Sequence, residues 1–331
     1  MLDRWDADDR IFLTLRIKKR LFPTLIGGIV GDALGVPVEF EPRGINISGM
    51  TGYGTYNQPP GTWSDDTSLT LCLIENLIEE KDEYGLMEKF MEYRNGYWTP
   101  YGRMFDIGLA TDDAIERYKN GIPLNECGGA SVSDNGNGAL MRISPLIFTL
   151  FHEPDFNKRL QEIERVAEIT HAHPRSTMGC ILYIQLLFYL FHNYAPLAAF
   201  DHTLKTCIQG LSSNEKYKTE FEHYRRIFDR SILDLSINEI KSDGYVVHSL
   251  EAAIWCFLIH DNYRQAVLEA VNLGGDTDTI AFITGTLAGM RYKIESIPEE
   301  WIDALARKQD IDDLLNRFTE FCGRKAHHQS T

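Results

Sequence analysis

Apolar positions recur along most of the chain at the three-to-four-residue spacing of an amphipathic helix. The spacing predicts helices over 67–80, 86–97, 112–120, 157–171, 175–192, 196–211, 219–233, 249–260, 263–273 and 279–292. Strict two-residue alternation is almost absent, so an all-α fold is expected. The run Met178 to Phe191 is apolar nearly all round and belongs at the centre of a multi-helix bundle. Asp66 or Thr67 and Asp278 suit helix N-caps, Pro196 and Pro298 suit first turns, and Gly121 and Gly210 suit helix ends. Gly27, Gly28, Gly31 and Gly35 early in the chain, and Gly285, Ala288 and Gly289 late, are small residues that let helix backbones approach closely.

Between the predicted helices one stretch stands out. Residues 43–62 are rich in Gly, Pro, Asn and Tyr, and an irregular loop of that length in a compact domain is usually functional or mobile. No internal repeat, low-complexity segment or Pro/Gly/Ser linker divides the chain. The 331 residues, 44% hydrophobic, suffice for a large core, read as one main body from 22 to 331 behind an N-terminal extension of 1–21.

Charge and cysteine usage narrow the setting. Thirty-three basic against 48 acidic residues, a net charge of -15, argue against a broad nucleic-acid or anionic-membrane surface, though not against a local anion pocket. The six cysteines are scattered, form no C-x-x-C, and mostly sit in apolar helical stretches, as expected of free thiols in a reducing cytoplasm. No export signal is visible, and no apolar run is expected to reach membrane-spanning length.

The chemistry is concentrated in two acidic clusters. Ser64-Asp65-Asp66-Thr67 and Gly274-Gly275-Asp276-Thr277-Asp278-Thr279 each stand in front of an apolar helical run. Burying ionised carboxylates there costs several kcal/mol unless something compensates them, and a divalent cation is the natural compensation. Mg2+ takes about six oxygens and keeps some waters, so these acids and hydroxyls suffice for one ion or two. The ordinary alternative for each cluster alone is helix capping. Asp32 and Glu39 add two acids in an apolar segment, where Asp32 could simply bond to backbone or a hydroxyl. The loop 133–142, with Gly136, Asn137 and Gly138, could cradle phosphate oxygens on backbone N–H groups, or be plain turn chemistry. Thr170-His171-Ala172-His173-Pro174 sits at a helix boundary, as a polar pocket edge or a cap.

Taken together and in order, Gly-Asp-Ala-Leu-Gly (31–35), Ser-Asp-Asp-Thr (64–67), Gly-Asn-Gly-Ala-Leu-Met-Arg (136–142), Thr-His-Ala-His-Pro (170–174) and Gly-Gly-Asp-Thr-Asp-Thr (274–279) resemble the ADP-ribosylglycohydrolase family from about residue 22 onward. The resemblance implies a compact multi-helix bundle with a dinuclear cleft holding two Mg2+ or Mn2+ ions, and removal of ADP-ribose from modified side chains. It assigns Ser64, Asp65, Asp66, Asp276, Asp278 and Thr279 to the metals, Ser64 standing where threonine is usual. It makes Glu39 and Asp66 candidates for handling the attacking water. Gly136, Asn137, Gly138, His171 and Gly275 match positions around the ADP-ribose pocket, with Gly102 in a loop covering it.

Such residues imply hydrolysis at the anomeric carbon through an oxocarbenium-like transition state. Asp106 is the candidate partner of a guanidinium leaving group, because a carboxylate holds guanidinium with two parallel hydrogen bonds. It resembles an aspartate tied to arginine substrates in the branch that reactivates dinitrogenase reductase, so arginine-linked ADP-ribose is expected before serine-linked. Residues 1–21, with Trp5, are read either as an extra docked helix or as an arm that inserts into a partner. Because some bacterial members protect against ADP-ribosyltransferase toxins, a toxin-blocking immunity protein is the second function class. A catalytically idle relative is the third, and the intact aspartates weigh against it.

Overall fold

The computed structural model describes the backbone of residues 2–330 and the side chains of residues 11–327. Its elements in chain order are α1 (Leu2–Gly35), α2 (Asp65–Ile78), α3 (Glu83–Tyr93), α4 (Leu109–Lys119), α5 (Ile147–Leu150), α6 (Phe156–Ala167), α7 (Pro174–Phe191), α8 (Pro196–Leu211), α9 (Arg225–Phe228), α10 (Val246–Ile259), α11 (Tyr263–Asn272), α12 (Thr277–Tyr292), α13 (Glu299–Asp303) and α14 (Lys308–Ser330). Among the described residues there is no strand, only three isolated bridges, so the all-α expectation holds. One continuous hydrophobic cluster links residues from Ile17 to Ala326.

The centre is the pair α1 and α12, whose backbones touch. A Cβ on Gly31 would lie 2.1 Å from the Ala281 carbonyl oxygen, and one on Gly285 would lie 2.1 Å from that of Gly27, so only glycine permits this approach. The glycines therefore serve tight packing, and they bring the end of α1 against the start of α12. The helix α7 is buried over almost its whole length, as its all-round apolar pattern demands. All six cysteines are free and buried.

Three expectations need correction. The stretch Ile11–Val38 is long and apolar enough to cross a membrane by length and composition, but its 18-residue apolar window is 94% buried in the protein, so that part is a core helix. The helix expected over 219–233 is broken into a turn at Glu220–Glu222, the short α9 and a turn at Ser231–Asp234, with Arg230 at φ 66° between the last two. Tertiary anchors override its periodicity: Glu220 is buried in an ion pair with Arg175 at 2.7 Å, and Tyr224 is fully buried with its hydroxyl on the Arg175 carbonyl. Finally, the N-caps of α2 and α12 are Ser64 and Asp276, and Gly210 lies inside α8.

Helix α1 runs without a break through positions 21 and 22, with Ile17 and Leu21 fully buried and Lys18 bonded to Asn316 of α14 at 2.8 Å. The side chain of Trp5 lies outside the described residues.

Candidate active site

The start of α2 is built by α1. Ser64 caps the helix by accepting the Asp66 N–H at 3.3 Å. Asp32, fully buried on α1, accepts the Ser64 N–H at 2.9 Å, the Thr67 N–H at 3.1 Å and the Thr67 hydroxyl at 2.6 Å. The Asp66 and Thr67 N–H groups of the first turn are thus satisfied without the Asp65 or Asp66 carboxylates. Asp32 has the structural role that its apolar setting allowed. The start of α12 differs: Asp276 sits at the N-cap but makes no side-chain cap bond, and its carboxylate accepts from Asn137 Nδ2 at 2.7 Å.

Glu39 follows a turn at Val36–Val38 and is held by a backbone clamp. The N–H of Phe40 donates to Gly275 O at 2.7 Å, and the N–H of Gly275 donates to Glu41 O at 2.9 Å. Gly275 has φ 75°, and a Cβ there would lie 2.2 Å from the Ser242 carbonyl oxygen, so this position requires glycine. The clamp brings one carboxylate oxygen each of Glu39, Asp276 and Asp278 within 4.8 Å of one another. The clusters themselves meet where Thr279 Oγ1 donates to Asp66 Oδ2 at 3.2 Å, across 213 residues of sequence.

These acids form one wall of a cavity of about 600 Å³ lined by Glu39, Asp65, Asp66, Asp106, Gly136, Asn137, Gly138, His171, Asp276, Asp278 and Thr279, among others. Ser64 lies just behind, bonded to Asp66 Oδ2 at 3.2 Å. Gly275 acts through its backbone and does not line the cavity, and neither does Gly102, which is exposed at φ 75° in open space.

Burial and mutual repulsion dominate the electrostatics. Burial first, then the charges of Asp106 and Asp276, push Glu39 up to about 8. Burial also raises Asp65, Asp66 and Asp278 well above the carboxylate range, with neighbouring carboxylates adding to it, and it raises Asp106 and Asp276. Asp66 Oδ1 and Glu39 Oε2 are buried without any hydrogen-bond partner. Repelling, unpartnered oxygens of carboxylates beside hydroxyls are the donor set a hard divalent cation satisfies, so the residues fit such an ion.

The opposite wall carries a neutral histidine. Burial, reinforced by Arg142, lowers the His171 pKa to about 3, so its ring carries no charge near neutrality. Thr170 Oγ1 accepts from Arg142 at 2.8 Å and lies 2.8 Å from His171 Nδ1, which fixes the ring's orientation. A Cβ on Gly138 would meet the His171 ring at 2.8 Å, which is why glycine stands there. His173, by contrast, caps α7 by accepting the Arg175 N–H at 3.1 Å.

Asp106 is half-buried in the cavity wall. Its carbonyl accepts from Tyr93 at 2.5 Å, and the next turn is tied down by Gly108 N–H donating to Asp65 Oδ2 at 3.2 Å. Tyr56 was missed by the sequence reading: its phenol sits beside both Glu39 and Asp106 and favours their charged forms, and its ring packs on Phe105 at 5.1 Å. The only signal for it was its place in the aromatic-rich loop 43–62.

A helical body whose acids converge on a cleft of hard-oxygen donors defines a class of hydrolases. Comparison with known proteins narrows it. The ADP-ribosylglycohydrolase family model matches residues 13–327. "ADP-ribosylarginine hydrolase Tri1" of Serratia proteamaculans is 33% identical over 299 residues, covering 88% of this chain and 77% of that one. "ADP-ribosyl-[dinitrogen reductase] glycohydrolase" of Rhodospirillum rubrum is 27% identical over 318 residues, covering 90% and 96%. A solved structure, "ADP-ribosylglycohydrolase-related protein complex", superposes with a TM-score of 0.74 at 28% identity, covering 93% of this chain and 99% of that one. The chain belongs to the ADP-ribosylglycohydrolase family. It is a glycosidase of a metal-dependent family that removes ADP-ribose from modified proteins.

Proposed function

We propose that this chain hydrolyses the N-glycosidic bond between ADP-ribose and arginine in a modified protein. The observation that carries the reading is Asp106, a carboxylate in the cavity wall with Tyr56 beside both it and Glu39. The name of the Serratia relative, an ADP-ribosylarginine hydrolase, supports it. Two Mg2+ or Mn2+ ions would be held by Ser64, Asp65, Asp66, Asp276, Asp278 and Thr279. When bound they supply positive charge that orients the ribose hydroxyls and acidifies a water.

The chain's own residues do the rest. Glu39, or Asp66 beside it, accepts the proton of the attacking water. The His171 ring and the amides around Gly136, Asn137 and Gly138 hold the ADP-ribose oxygens. Asp106 holds the guanidinium of the substrate. As the C–N bond breaks its electron pair passes to the guanidine nitrogen, which takes up the proton removed from the attacking water and leaves as a guanidinium paired with Asp106. Gly102 then belongs to a loop over the cleft, and Gly275 supports the pocket through its clamp on Glu39. The six free, buried cysteines support a cytoplasmic setting.

The test is release of ADP-ribose from an arginine-modified and a serine-modified protein, with Mg2+, with EDTA, and with the Asp65→Ala, Asp278→Ala double variant. Metal-dependent release from arginine, reduced at least about 100-fold in the variant, is expected. Release from serine alone would overturn the substrate choice.

A second reading concerns residues 1–21 as an arm that docks and blocks an ADP-ribosyltransferase toxin. It is favoured by Ile11, Phe12 and Leu15, exposed by 56%, 72% and 53% on α1. Deleting the whole arm would strip Ile17 and Leu21 from the core, so Phe12→Asp with Leu15→Asp is the cleaner probe. Unchanged toxin binding by that variant would remove the reading.

A further inference from the structure

The mouth of the cleft carries two large apolar side chains that stand exposed among the described residues. Phe40 is 69% exposed and Leu109 is 84% exposed, and both also line the cavity. Phe40 directly follows Glu39, and Leu109 opens α4 three residues after Asp106. Scattered exposed apolar residues are normal on any protein. Two of them on the same cavity, one next to Glu39 and the other three residues beyond Asp106, are a different matter.

Phe40 is also held against its own preference. It sits at φ 66°, a region that bulky side chains rarely enter. The hydrogen bonds from Phe40 N–H to Gly275 O and from Glu41 N–H to Val38 O, at 2.7 and 3.1 Å, impose that conformation. Among the described residues its ring stacks on no other ring. The scaffold therefore presents an aromatic face to the cavity mouth without gaining core packing from it.

The chemistry that fits is an apolar stem ending in a planar cation. An arginine side chain is three methylenes and a guanidinium, whereas serine offers a single methylene and no charge. We propose that Phe40 and Leu109 form a collar that grips the methylene stem of the modified arginine while Asp106 holds its head. This rests on the arginine reading above and adds a specificity determinant to it. The collar touches only the leaving group, so it selects among linkages that present the same ADP-ribose to the acids.

The test compares ADP-ribosyl-arginine with ADP-ribosyl-guanidine, which has the head and no stem, using the full chain with Mg2+. In the parent chain kcat/KM should favour arginine by about tenfold, as burying roughly two methylenes would give. In Phe40→Asn with Leu109→Ser that preference should collapse toward one, chiefly through KM for the arginine compound. Asparagine accepts positive φ, so the backbone clamp is kept while the ring is lost. If Phe40→Asn lowers the thermal midpoint, Leu109→Ser alone carries the test from the exposed start of α4, with a smaller fall in the same ratio. An equal preference in parent and folded variant, or no preference in the parent, overturns the collar. Cleavage of serine-linked substrate alone overturns the arginine reading itself, and the collar with it, which is a separate outcome from failure of the collar on an arginine hydrolase.

Discussion

The two acidic helix starts meet the same local need by different means. At α2 a serine hydroxyl caps the helix and Asp32 of another helix takes up the remaining donors, which leaves Asp65 and Asp66 free to face the cleft. At α12 the cap position is itself acidic, and Asp276 turns to Asn137 while the helix is anchored by Thr277 donating to Gly35 O at 2.8 Å. An Asp at a helix N-terminus ordinarily accepts backbone N–H groups. At α2 most of that work is done by something else, so Asp65 and Asp66 face the cleft, whereas at α12 Asp278 itself accepts the Thr279 N–H at 2.9 Å. The α2 site is therefore expected to depend on one remote residue, whereas the α12 site depends on helix contact along α1.

Removing Asp32 should break this comparison most severely. Asp32→Ala would strand the Ser64 N–H, the Thr67 N–H and the Thr67 hydroxyl in the core and lower unfolding free energy by about 3 kcal/mol, read by denaturant titration. The largest loss of metal affinity should then fall on the α2 side.

A smaller effect should follow from pH. Glu39 is raised to about 8 and Asp32 to about 6 by burial, so the folded state holds protons that the unfolded state has already released. Their contribution is fully present below the ordinary carboxylate range and is lost as pH rises toward 8. Metal-free protein should therefore melt several degrees lower at pH 8 than at pH 6, and millimolar Mg2+ should close most of that gap. A melting temperature independent of both pH and Mg2+ would count against the cleft as a cation site.

The smallest effect is expected at the cap. Ser64→Thr keeps both the capping oxygen and the hydroxyl beside Asp66, so stability should change by less than about 0.5 kcal/mol and activity by less than about threefold. A large loss would mean that the methyl group does not fit behind Asp66.

Much of this arrangement was legible along the chain, for reasons that can be named. Helix periodicity is a local property, and nine of the ten predicted segments begin within three residues of an observed helix, from 67–80 against Asp65–Ile78 to 196–211 against Pro196–Leu211. The cap of α2 was misplaced by two residues because Ser64, Asp65, Asp66 and Thr67 are all good capping types. The segment 219–233 misled because an apolar period does not reveal that Glu220 and Tyr224 are pinned to Arg175. Tyr56 could not be singled out, since its partners Glu39 and Asp106 lie on two other loops.

By itself the sequence determined most of the helices, the identity of the acids and the small residues of α1 and α12, since periodicity, carboxylate chemistry and residue size act where the residue stands. Only the tertiary structure decided which acids are spared from capping, that Glu39 and Asp106 share one tyrosine, and that Phe40 faces the cleft at a φ it would not choose. Those outcomes depend on distances between segments up to 242 residues apart, set by how closely two glycine-faced helices pack.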